Sequence, residues 1–139
     1  MPEAFVELDL PSRLDMVTVA RIVVAAAASC LDVLDGERLD DLRWVTSEAT
    51  TNAIQANLLT DRPGRVRVRI GLTEDLVRIS VSDEGPGMSD PVVIPEMSDP
   101  DRLQLEGGFG IPLMQLLSSS DVVFETTSAG TTVRMELEQ

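Results

Sequence analysis

The chain has 139 residues, 43% hydrophobic and 25% charged, which is typical of one globular domain, taken here as residues 1–139. Its net charge is −13 and all 11 basic residues are arginine, so neither nucleic acid nor an anionic membrane is an expected partner. The absence of histidine excludes histidine-based metal sites and general bases, and the single Cys30 excludes an internal disulfide and fits a reducing cytoplasm.

The N-terminal part of the chain predicts a strand followed by a helix. Residues 5–10, "FVELDL", alternate apolar and acidic side chains, which predicts a strand that Pro11 ends. An alanine-rich helix is predicted from Asp15, a suitable N-cap residue, to Leu34, with Gly36 closing it.

The apolar run within this helix, residues 16–31, also has to be weighed as a signal or membrane anchor. Acidic residues precede it where a signal would be basic, and it is shorter than the ~20 residues of a membrane span. A buried helix is therefore the prediction.

A second helix and a hairpin follow. The helix is predicted over Arg38 to Leu58, and "TDRPG" then makes a turn. "RVRVRIGL" (65–72) and "LVRISVSD" (76–83) alternate as two strands joined by a short loop. The inward parity of the second strand ends on Asp83, a carboxylate that needs a partner if it faces the core.

The C-terminal third contains a loop, a helix and a hairpin. Residues 84–107 are rich in proline, glycine and serine, which predicts a long functional loop. A helix is predicted to begin after it, within "GGFGIPLMQLLSS". "DVVFETT" and "TTVRMEL" are strands around the "SAG" turn. The order of elements predicts a two-layer α/β sandwich, with a mixed, mostly antiparallel sheet and helices on one face.

Three groups of residues carry possible chemistry. Glu48 and Asn52 are neighbours on one side of the second helix, at the margin of its apolar stripe. Taken alone, they also fit a solvated helix edge. The stripe consists of Leu42, Val45, Ala49, Ala53 and Ala56.

The other two groups are rich in glycine. Asp83 is followed by Gly85 and Gly87, so an inward carboxylate could accept a hydrogen bond from an exocyclic amine on a flat ligand, although the segment also fits a plain turn. "EGGFGIPLM" (106–114) places glycines before a helix N-terminus, which suits phosphate. It is not a lysine-containing phosphate loop, since the chain has no lysine.

In order, "SEATTNAI", "DEGPGM", "GFGIPLM" and "GTTVRM" resemble the motifs of the Bergerat-type ATP-binding fold, that of gyrase and histidine kinases in the GHKL superfamily. Their spelling and the small size of the chain are most similar to the bacterial anti-sigma factor serine/threonine kinases. The resemblance covers about residues 5–137.

The resemblance implies a role for each matching residue. Glu48 would be the catalytic base, and Asn52 would hold Mg²⁺ through its carboxamide oxygen. Asp83 would recognise adenine through its carboxylate, with support from Thr131. The glycine boxes and their neighbours would surround ATP, at Gly85, Gly87, Met88, Gly107, Gly108, Phe109 and Gly110. Residues 89–107 would form the ATP lid.

The family likeness also implies partners. The substrate would be an anti-anti-sigma protein, the second partner a sigma factor, and the chain a homodimer built partly through its first strand and helix. Arg21 on that helix is one of few basic groups available for partner contact. The alternative interpretation is that Arg21 forms a surface salt bridge.

Two departures from the family pattern keep an alternative open. Many relatives carry a histidine late in the second helix, where this chain has Ala56 and Asn57, and Glu106 stands where a basic residue often precedes the second glycine box. The nearest arginine is Arg102. The alternative is an ATP- or ADP-binding switch that binds partners with little or no phosphoryl transfer. A detached histidine-kinase catalytic domain is disfavoured because the chain has no histidine.

Overall fold

A computed structural model describes residues 3–85 and 110–139 of the chain. The elements follow in the order β1 (Ala4–Pro11), α1 (Met16–Cys30), α2 (Gly36–Leu58), β2 (Arg65–Leu72), β3 (Leu76–Ser82), α3 (Gly110–Leu117), β4 (Val123–Thr127) and β5 (Gly130–Glu138).

The strands form one five-stranded sheet in the order β1-β2-β3-β5-β4. All four neighbouring pairs are antiparallel, so the predicted mixed sheet is wrong in this respect. The two-layer α/β sandwich itself is confirmed, with the helices packed on the apolar face of the sheet.

Strict alternation in β2 and β3 separates the two faces of the sheet. Val66, Val68 and Ile70 are fully buried, whereas the arginines between them are exposed. The inward residues of β3 and β5 join the buried faces of α1 and α2 in one hydrophobic core. The sheet therefore presents its polar face to the outside, away from the helices.

The end of α1 differs from the prediction. The helix ends at Cys30, and Asp32 adopts a left-handed conformation with φ 58°. The N–H of Val33 donates to the carbonyl of Ala28 (3.0 Å), which makes this a Schellman-type C-cap. Gly36, with φ +50°, is the first residue of α2 and does not close α1.

The start of α1 and the end of β1 also differ in detail. β1 runs through Pro11, which pairs with Arg65, and proline is tolerated there because β1 is an edge strand. Asp15 occupies the N-cap position but makes no capping hydrogen bond. Its carboxylate instead accepts from the Arg13 guanidinium at 2.5 Å.

Within residues 3–85 and 110–139, no helix combines the length and the apolar character that crossing a membrane requires.

Candidate functional site

Asp83, the residue after β3, anchors the site. Its Oδ1 accepts hydrogen bonds from the backbone N–H groups of Gly85 (2.9 Å) and Thr131 (3.2 Å). No described residue donates to Oδ2. Burial raises the pKa of Asp83, and the two backbone N–H groups offset part of that rise. One oxygen is thus fixed by the fold, while the other accepts no hydrogen bond from residues 3–85 and 110–139.

Close packing around two glycines fixes the position of this carboxylate. A β-carbon at Gly85 would lie 2.8 Å from the carbonyl oxygen of Ala56 on α2. A β-carbon at Gly130 would collide with the carbonyl oxygen of Asp83, and Gly130 also has φ +143°. Only glycine allows the end of β3 to approach both α2 and β5 this closely.

Thr131 lies beside Asp83, and its supporting role toward adenine stays a prediction. It is buried, its backbone both donates to Asp83 and accepts from the Asp83 N–H (2.9 Å), and its hydroxyl lies 3.4 Å from that of Thr126. The pairing of the start of β5 with the end of β3 brings Thr131 and Asp83 together.

Glu48 and Asn52 lie along the side of α2 that leads, through Ala56, to Gly85 and Asp83. Both are half-buried, and neither side chain has a hydrogen-bond partner among the described residues. Asn52 precedes Ala56, which packs on Gly85, by one turn, about 6 Å of helix rise, and Glu48 lies one turn further back. Burial raises the pKa of the Glu48 carboxyl group. The predicted margin position of the pair is confirmed.

Asn57 is part of the site and was not predicted to be. It is fully buried at the end of α2. Its Nδ2 donates to Ser12 Oγ (2.9 Å) and to the carbonyl of Arg65 (3.1 Å), and its Oδ1 accepts from the N–H of Glu84 (2.7 Å). Its spacing from Ala49 and Ala53 places it on the buried stripe of α2, so the sequence spacing could have predicted that Asn57 is buried.

The remaining predicted site residues divide into two sets. Gly110 begins α3 as expected, and Pro112 is buried in the first turn of that helix. The other set lies outside the described residues: Gly87, Met88, Gly107, Gly108 and Phe109, together with Arg102, Glu106 and the lid of residues 89–107.

Comparison with known proteins places this geometry in context. Residues 10–137 match the family described as histidine kinase-like ATPase domain. The chain is 31% identical to the serine-protein kinase RsbW of Bacillus subtilis, over 94% of this chain and 83% of that protein. It is 32% identical to the anti-sigma F factor of Geobacillus stearothermophilus, over 93% of this chain and 88% of that protein.

A solved structure shares the fold. The RsbU and RsbW domains of a Mycobacterium tuberculosis protein match 99% of this chain with a TM-score of 0.70, and the match covers 32% of that longer chain. At 18% identity this likeness concerns the fold alone.

Proposed function

Because the chain belongs to the histidine kinase-like ATPase domain family, and within it to the anti-sigma factor serine kinases, we propose that it phosphorylates an anti-anti-sigma protein and sequesters a sigma factor. The kinase names of the relatives favour transfer over a switch that only binds nucleotide. The reaction would take place in the cytoplasm, where ATP and sigma factors are found.

The proposal rests on the geometry around Asp83, where the end of β3 meets the end of α2 and the start of β5. Asp83 is a half-buried carboxylate with one oxygen bonded to two backbone N–H groups and the other without a donor among the described residues, which suits an exocyclic amine. The adenine would lie against Gly85 and Thr131, and the phosphates would extend along α2 toward Asn52 and α3. The helix N-terminus at Gly110 offers backbone N–H groups to phosphate.

Glu48 would act on the incoming serine. A carboxylate whose pKa is raised by burial holds a proton better than an exposed one, so it is a stronger base at the site. As the serine oxygen forms its bond to the γ-phosphorus, the bond from that phosphorus to the β,γ-bridging oxygen breaks and ADP leaves. Glu48 accepts or orients the serine proton during this step.

The residues present also fit Mg²⁺, the expected metal. The described residues contain no cluster of three acidic, histidine or cysteine side chains, so they offer no complete protein cage. Mg²⁺ commonly takes one or two protein oxygens and completes its shell with water and phosphate. The carboxamide of Asn52, which makes no hydrogen bond within the described part of the chain, would supply such an oxygen, and the metal would neutralise charge developing on the phosphates.

The homodimer is a proposal supported by the outer side of α1. Val19, Ile22 and Ala26 are exposed at helical spacing, and Ile22 is 60% exposed. Leu14, just before α1, is exposed as well. Sedimentation of Ile22→Arg, which puts a charge into this stripe, should give monomers where the wild type gives dimers.

Transfer of label from γ-labelled ATP tests the proposed function. Wild type with Mg²⁺ should label a serine of the anti-anti-sigma protein that it binds. Asn52→Ala should reduce both Mg²⁺-dependent nucleotide binding and transfer, because it removes the metal ligand. If wild type binds such a serine-bearing partner and transfers nothing to it, the kinase proposal is wrong and the nucleotide switch replaces it.

A further inference from the structure

Arg38, near the start of α2, joins three elements of the fold through one side chain. Its guanidinium donates to the carbonyl oxygens of Leu117 (2.9 Å) and Glu138 (2.7 Å) and to Ser119 Oγ (3.1 Å). It also forms an ion pair with Asp41, three residues further along α2, at 2.8 Å. The side chain is only 23% exposed, so solvent screens these bonds less than it would at the open surface. One planar group thus joins the start of α2 to the ends of α3 and β5.

The bond to Leu117 is specific to α3. Leu117 is the last residue of that helix, so its carbonyl has no partner inside the helix, and the guanidinium supplies both a donor and the positive charge that a helix C-terminus favours. In the part of the chain that the structure describes, this is the one hydrogen bond between α2 and α3. The start of α2 has a second link to the end of β5, since Asp35 and Gln139 exchange two hydrogen bonds, of 2.8 and 2.7 Å. Removing the Arg38 side chain would therefore loosen α3 in particular.

The short length of α3 transmits a change at one of its ends to the other. The helix has eight residues, and Met114, near its middle, is 1% exposed and packs into the core. Gly110 lies about 6 Å of helix rise before Met114, and Leu117 about 4.5 Å after it. A shift of the C-terminal end that pivots on Met114 therefore moves the N-terminal end by a similar distance in the opposite direction. A misplacement of about 1 Å caused far from the reacting groups is enough to slow a reaction considerably.

We propose that Arg38 is a positioning residue for the phosphates of ATP. It fixes the orientation of α3 from the C-terminal end, and the backbone N–H groups that begin at Gly110 then point toward the phosphates. The contacts around Asp83 do not need this link, because Thr131 lies at the opposite end of β5 from Glu138. The inference rests on the proposed function and adds to it a residue that acts on phosphate binding from the far end of a helix.

Binding of ATP and of adenosine, measured side by side, separates positioning from folding. Adenosine carries the base without any phosphate, so its affinity reports on the contacts around Asp83. A protein that is partly unfolded loses apparent affinity for both ligands by the same factor, so the ratio of the two Kd values does not respond to stability alone. Arg38→Ala should raise Kd for Mg–ATP roughly tenfold and leave Kd for adenosine within about twofold of wild type. Calorimetry measures the first constant and ligand-observed NMR the second.

A conservative variant and a matched control sharpen the comparison. Arg38→Lys keeps the charge beside Asp41 but lacks the planar fork of N–H groups that reaches several acceptors, so it should recover only part of the affinity for ATP. Arg43→Ala is the control, because Arg43 lies on the same helix and pairs with Asp40 (2.6 Å) at the same three-residue spacing. Its guanidinium donates to no other residue in the described ranges, and the variant should bind both ligands as wild type does. If Arg38→Ala does not fold, Arg38→Lys carries the test, with a weaker affinity for ATP and an unchanged affinity for adenosine.

The outcomes separate this inference from the proposed function. An unchanged ratio of the two Kd values in Arg38→Ala, or in Arg38→Lys where the alanine variant does not fold, refutes the positioning role and leaves the kinase standing. A loss of affinity shared equally by ATP and adenosine assigns Arg38 to stability alone and also refutes it, as does an equal change of the ratio in Arg43→Ala. If wild type binds ATP no more tightly than adenosine, the proposed phosphate site at α3 is wrong, and the inference fails together with the proposed function.

Discussion

Asp83→Asn tests the adenine assignment most closely. The substitution keeps Oδ1, so the hydrogen bonds from the N–H groups of Gly85 and Thr131 can persist. It replaces Oδ2 by an NH₂ group, which cannot accept a hydrogen bond from an exocyclic amine. A hydrogen bond to a charged group contributes about 1.5–3 kcal/mol, and each 1.4 kcal/mol is about tenfold in Kd. Affinity for ATP should therefore fall roughly ten- to a hundredfold.

Calorimetry with Mg–ATP measures this change, and stability measurements make it interpretable. Burial raises the pKa of Asp83 in the folded state, so the stability gained from its proton is fully present below the ordinary value of 3.8 and is lost as pH rises through the folded value. Near neutral pH the neutral amide should be no less stable than the carboxylate. Glu84→Gln, at the exposed neighbouring carboxylate, is the matched control and should bind ATP as wild type does. Unchanged affinity in a folded Asp83→Asn protein would refute the assignment.

Three further predictions concern stability, pH and the loop. Asn57→Ala should destabilise the fold by about 2–5 kcal/mol in denaturant unfolding, because it removes a buried amide and leaves the Arg65 carbonyl and the Glu84 N–H without its hydrogen bonds. The half-buried Asn52→Ala should cost far less, and equal losses would contradict the role given to Asn57. Burial raises the pKa of Glu48, so the stability that its proton contributes is present below pH 4.5 and is lost as pH rises through the pKa of the folded state. Compared with wild type, Glu48→Gln should therefore gain thermal stability between about pH 4 and pH 7, and a difference that does not change with pH would count against the raised pKa. The sequence predicts an ATP lid over residues 89–107, so limited proteolysis there should slow when ATP is added, and identical cutting with and without ATP would argue against a lid.

Local periodicity was sufficient to predict the parts of the fold that flank the site. The bounds of β2 matched the alternating run of residues 65–72. In β3 the same parity that buries Val77, Ile79 and Val81 also turned Asp83 inward, as predicted. The period of two in a half-buried strand leaves little choice about which side chains face the core, so one strand end fixes the direction of a functional carboxylate.

Features that depend on contacts between distant segments were not predictable in this way. The sequence pattern at the end of α1 pointed to Gly36, but Asp32 took the left-handed position because the turn to Val33 and Leu34 buries both side chains. The place of β5 between β3 and β4 depends on pairing across the whole chain. The role of Asn57 was not predictable because helical periodicity does not show that a buried amide forms hydrogen bonds with β2 and with the residue after Asp83.

Single-turnover phosphoryl transfer by Glu48→Gln tests whether Glu48 is the base of the reaction. The protein is mixed with γ-labelled ATP, Mg²⁺ and the anti-anti-sigma partner, and ATP affinity is measured on the same preparation. The substitution keeps the size of the side chain and removes its basicity. Affinity should stay within a few-fold of wild type while the transfer rate falls by roughly 10²–10⁴, the usual contribution of a positioned base. Transfer at the wild-type rate would contradict the assignment of Glu48.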